Sequence, residues 1–122
     1  MAVLLAISIT TVLVISPLKA ICQKKTSTQI NVFPENVSKI LISSCAGCHG
    51  DNGKKMAMSM WNFNKWGTYA AEKQSKKAKQ ICNAVTKGKM PPSSIKKSNP
   101  DEIPTAGQID IICKWANSLN GK

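Results

Sequence analysis

The sequence predicts an all-α domain: three principal helices joined by long loops. Apolar residues recur at helical spacing in three stretches, and no stretch alternates as a half-buried strand would. Four prolines crowd the segment 89–104, which marks it as a connection rather than regular helix. At 122 residues the chain has room for one domain and one small core.

The stretch from Ala2 to Leu18 is almost wholly apolar or hydroxylated, with no charge before Lys19. It suits the core of an export signal, with small residues near a cut around Ala20. Its length is also at the short limit for a membrane span, and the usual basic start is missing, so a retained anchor is the alternative. Cys22 follows closely enough to raise lipidation, although Ile21 is bulkier than the residue normally preceding a lipidated cysteine. Residues 1–20 thus read as a signal peptide or N-terminal anchor, 21–32 as a flexible linker and 33–122 as the folded domain. Each version places that domain outside the cytoplasm, in the periplasm or attached to the outer side of a bacterial membrane.

Pro34 can sit in the first turn of a helix, with Glu35 favourable beside it. Val37, Ile40, Leu41 and Ser44 then share one face, and this helix runs into Cys45. Gly50 to Gly67 reads as loop, with Asp51-Asn52-Gly53 as a turn. A second helix over about 68–86 carries the stripe Ala78, Ile81, Cys82 and Val85, and Gly88 suits the residue just past its end. The last helix starts at Thr105, with Gln108 at capping-box spacing, and runs to Gly121 with Ile109, Ile112, Cys113 and Ala116 on one stripe. Loops this long in a small domain usually have a functional reason, and wrapping a large flat cofactor is one.

All 17 basic residues are lysines against six acids, a formal charge of +11. Nucleic acid is a poor explanation in an exported chain without arginine, stacking platforms or a binding motif. Steering towards an acidic protein or anionic membrane surface fits better, with a generic solvated lysine surface as the alternative.

Cys45-Ala46-Gly47-Cys48-His49 contains the only histidine. This spacing reads as c-type haem attachment. Thiols at i and i+3 of a helix end can face one side and add to the two haem vinyl groups, and the adjacent imidazole can bind the iron. A zinc site would want four ligands, and Cys82 and Cys113 are far apart in sequence to supply them. A thioredoxin-like dithiol would want a preceding strand, where a helix is expected.

Of five cysteines, two belong to this motif and Cys22 to the export region, which leaves Cys82 and Cys113 as a candidate disulfide in an oxidising compartment. Two buried thiols are the alternative. For a sixth iron ligand, Met90 stands on a loop stiffened by Pro91 and Pro92, and methionine ligation raises the potential. Packing is the plainer role for Met90. Met56, Met58 and Met60 compete for the iron but follow His49 too soon to cross easily to the other face. Their alternate spacing also suits Cu(I), with haem contact as another reading.

The haem motif after an amphipathic helix, the Met90-Pro91-Pro92 loop and the C-terminal helix together resemble a class I mono-haem c-type cytochrome, closest to small exported haem-binding domain proteins. The resemblance covers about 33–120. It implies a cytochrome c-like fold around one covalent haem c, with Cys45 and Cys48 as thioethers, His49 proximal and Met90 distal. It also implies crossed first and last helices, with Val37, Ile40 and Leu41 meeting Ile112, Trp115 and Leu119.

The expected function is one-electron transfer, without enzymatic turnover, by a monomer serving redox proteins with acidic docking surfaces. Lys87, Lys89, Lys96 and Lys97 are the candidate docking residues, and Trp61, Trp66 and Pro91 the candidate haem contacts. The alternatives are a haem sensor or small peroxidase with displaceable Met90, and a haem-containing accessory subunit of a larger redox complex.

Overall fold

The computed structural model describes residues 32–120. The expected signal or anchor, the linker, Cys22 and Gly121 lie outside the described residues. Those residues form six α-helices and no strand. They are α1 (Glu35–Ser44), α2 (Ala46–His49), α3 (Lys55–Met60), α4 (Ala71–Thr86), α5 (Ser93–Ser98) and α6 (Ala106–Ser118). Short 3₁₀ turns lie at Trp66–Thr68 and Pro100–Glu102.

Sequence patterning accounts for the three longer helices. Pro34 stands at the N-cap of α1, and Val37, Ile40 and Leu41 are its buried face. In α4, Ala78, Ile81 and Val85 are buried. In α6, the Thr105 hydroxyl accepts from the Gln108 N–H while the Gln108 side chain accepts from the Thr105 N–H, a complete capping box. α6 packs on α4 along its length and also touches α1. Leu41 and Ile112 are fully buried in one core cluster with Trp115, against which the partly buried Leu119 packs. Phe33 extends this core, stacking on Phe63 at 5.3 Å between centroids and meeting the edge of Trp115 at 5.7 Å.

Two segments read as loop contain helix. α5 lies inside the proline-rich stretch because its six residues fall between Pro92 and Pro100. Pro92 stands at the N-cap, where its ring opposes no intrahelical bond. α3 lies inside Gly50–Gly67, and its three methionines are good helix formers. Both are six-residue elements, under two turns and without a full apolar stripe, so periodicity gave no sign of them. α1 also stops at Ser44: Cys45 leaves helical geometry at φ −127° before α2 restarts.

Cys82 on α4 and Cys113 on α6 form a disulfide, with Cα atoms 5.0 Å apart and 31 residues between them in sequence. It staples α4 to α6, the helix pair with the most extensive packing. Replacing both cysteines with alanine is expected to cost about 3–4 kcal/mol by freeing the unfolded chain, read as a lower urea midpoint with a steeper slope, since the expanded unfolded chain exposes more surface.

Candidate functional site

An apolar cleft of about 380 Å³ opens beside the C-x-x-C-H motif, within the about 300–1,000 Å³ usual for cofactor pockets. Cys45, Cys48 and His49 line one part, and Met56, Met60 and Trp61 another. Ile81, Ala84 and Val85 contribute from α4, and Met90, Pro91, Pro92 and Ile95 from the segment that follows. Thus the end of α1, the short α2 and α3, one face of α4 and the proline loop all build a single site.

His49 is buried at the C-terminal end of α2. Its Nδ1 lies 3.1 Å from the Trp61 carbonyl. A carbonyl only accepts, so Nδ1 carries the hydrogen and Nε2 keeps its lone pair. The indole of Trp61 stacks on the imidazole, centroids 4.5 Å apart at 16°. Burial holds the imidazole pKa below its ordinary value, outweighing the Trp61 and Ala57 carbonyls that favour the charged form. The result is a neutral, oriented imidazole with one nitrogen free to bind metal.

The segment that supplies the Trp61 carbonyl is itself pinned. The Phe63 N–H donates to the His49 carbonyl at 2.8 Å. Buried Asn62 donates to Asp51 at 3.0 Å, and its side-chain oxygen accepts from the N–H groups of Asn64 and Lys65. The Asp51-Asn52-Gly53 turn closes so tightly that a Cβ on Gly53 would collide with the Cys48 carbonyl. That same carbonyl accepts from the Lys54 N–H at 3.0 Å. Chain reversal after the C-x-x-C-H motif therefore returns Trp61 behind the histidine.

Cys45 and Cys48 are free thiols, both half-buried, on the cleft wall. Burial pushes the Cys45 thiol up to about 12, with Cys48 beside it adding to the rise. Met90 is 41% exposed at the edge of the cleft, and Pro91 is buried in its wall. Met56 and Met60 share the cleft, but from α3, the element whose end carries the carbonyl at the back of His49. Met58 is not among the lining residues.

Trp66, expected as a haem contact, is not a wall of the cleft. It is 1% exposed and packs in the core against Phe33, Tyr69 and Trp115. Trp66 opens a single 3₁₀ turn, which carries no periodic signal to separate core from site. Of the expected docking lysines, Lys87, Lys89 and Lys97 are exposed, while Lys96 is half-buried with its ammonium on the Gly88 carbonyl. Lys54, Gln80 and Glu102 also line the cleft. The turn before Lys54 was the only hint of any of them.

An all-helical domain with an apolar cleft that gathers two thiols, a tautomer-locked imidazole and a thioether has the donor set and the walls of a haem-binding protein. The chain matches the haem-binding domain family over residues 55–118, just over half its length, and it belongs to that family. The match takes in α3 to α6 and begins just after the C-x-x-C-H motif. No match was found among curated proteins or among solved structures. The residues fit the group: apolar walls suit the macrocycle, and His49 is prepared as a ligand.

In the haem-free folded chain, Cys45 is expected to react with iodoacetamide at pH 8 at least tenfold more slowly than in urea. The nucleophile is the thiolate, which burial suppresses. Peptide mass mapping of the alkylated chain measures this.

Proposed function

We propose that this protein is an exported one-electron carrier of the class I c-type cytochrome kind. Cys45 and Cys48 would hold one haem through thioethers, His49 would be the proximal ligand and Met90 the distal one. The observation that carries this reading is the Nδ1–H bond from His49 to the Trp61 carbonyl, made beside two free thiols on the wall of an apolar cleft. When bound, the haem iron would supply the one-electron couple.

The chain's own part is to fix geometry and exclude water. Cys45 and Cys48 would hold the group covalently, so that it could not dissociate. The Trp61 carbonyl holds the imidazole in one tautomer and orientation and raises its basicity. Met90 comes from a separate wall after α4, and a neutral thioether there would favour the reduced metal. The apolar walls from Ile81, Val85 and Pro91 limit the solvent reorganisation that accompanies a change of charge. The exposed Lys87, Lys89 and Lys97 would orient a partner with an acidic docking face.

The 41% exposure of Met90 favours a second reading, a sensor or weak peroxidase in which the thioether yields to an incoming ligand. Against peroxide cleavage, the chain has no second histidine and no arginine to assist at the distal side.

The first reading predicts a reversible one-electron titration of the exported protein. It also predicts a weak far-red ferric band from the iron–thioether bond. Met90→Ala abolishes that band and lowers the potential, while Met56→Ala and Met60→Ala leave both in place. Retention of the band in Met90→Ala contradicts the ligand assignment. The double charge reversal Lys87→Glu/Lys89→Glu slows electron transfer to an acidic redox protein roughly tenfold at low salt. The difference fades as the Debye length falls towards about 3 Å at 1 M salt. Stopped-flow rates across a salt series measure this, and equal rates at low salt contradict the docking role.

A further inference from the structure

We propose that Lys96 is the positioning residue for the distal thioether, clasping the loop that carries Met90. The inference rests on the Met90 ligation proposed above. α4 ends in a Schellman arrangement: the Gly88 N–H donates to the Val85 carbonyl at 3.1 Å and the Lys89 N–H to the Ala84 carbonyl at 2.9 Å. Gly88 adopts φ +63°, a conformation that a side chain would strain. The Met90 N–H also turns back on the Ala84 carbonyl, at 3.2 Å. This fixes the chain up to Met90 from the α4 side.

The other side is closed from α5. The Lys96 ammonium donates to the Gly88 carbonyl at 2.6 Å. The Lys96 N–H donates to the Pro92 carbonyl at 3.1 Å, so both ends of the lysine are engaged. Met90, Pro91 and Pro92 lie inside the ring that these contacts close. The cation also sits just beyond the C-terminal end of a 16-residue helix, where its charge opposes the negative end of the dipole. No other lysine side chain donates a hydrogen bond to this loop among the described residues. The long side chain therefore spans from α5 to the turn before the ligand and resists the outward swing that would detach the thioether.

The test is a titration of the ferric, haem-loaded protein with imidazole at pH 8, where the probe is largely neutral and insensitive to lost charge. Loss of the far-red thioether band reports displacement of Met90. A charged hydrogen bond on a partly exposed group implies that Lys96→Met binds imidazole about three- to tenfold more tightly than wild type. Lys96→Arg keeps a cationic donor and stays near wild type, and Lys97→Met, one residue on and exposed, matches wild type. The shift persists at high salt, which separates the clasp from partner docking.

Equal imidazole affinity in Lys96→Met and wild type, with the wild-type band present, overturns the clasp and leaves Met90 ligation standing. A matching shift in Lys97→Met overturns it as well, since the effect would then belong to surface charge. Absence of the band from the wild-type protein overturns the ligand assignment and the clasp together.

Discussion

The hydrogen bond from His49 Nδ1 to the Trp61 carbonyl is the constraint on which the rest of the structure depends. It selects the tautomer, aims the imidazole and ties the C-x-x-C-H helix to the segment that returns behind it. The Asp51-Asn52-Gly53 turn, the Asn62 side-chain bonds and the Phe63 N–H on the His49 carbonyl all serve to place that one carbonyl. The stacked indole of Trp61 meets Trp66 edge-on at 6.1 Å, which carries the support into the aromatic core. A neutral imidazole so deep in the protein is stable because its N–H is satisfied and its charged form is not needed.

The core and the cleft divide one set of helices between them. α4 buries Ala78, Ile81 and Val85 in the core, while Ile81, Ala84 and Val85 also form a cleft wall. α1 buries Leu41 in the core and ends just before Cys45, with Cys48 following on α2. A small domain with this little apolar interior gains from a cofactor that covers the cleft, and from a disulfide that staples α4 to α6. Family membership accords with this division: the matched residues 55–118 hold most of the cleft walls, and the haem motif sits just ahead of them.

Legibility in the sequence followed element length. α1, α4 and α6 were visible because each repeats its apolar residues over several turns, and the capping box at Thr105 and Gln108 marked a helix start unaided. α3 and α5 were invisible because one or two turns do not establish a period. The thiols, His49 and Met90 were identifiable as chemical types at telling positions, and the structure brings all four to one cleft. The Trp61 carbonyl was not legible, since every residue has a carbonyl and only the fold chooses one. The contact made by Lys96 was hidden for a related reason. A lysine beside Lys97 looks like surface charge until the turn at Gly88 brings a carbonyl within its reach.

On the proposed ligation, a single cleft presents His49 and Met90 to the same iron. X-ray absorption at the iron edge of the haem-loaded protein tests it most directly. The prediction is one sulfur neighbour together with nitrogen neighbours in both ferric and ferrous states, with the sulfur lost in Met90→Ala. A first shell of nitrogen and oxygen alone in the wild-type protein, or a sulfur that survives Met90→Ala, would contradict it.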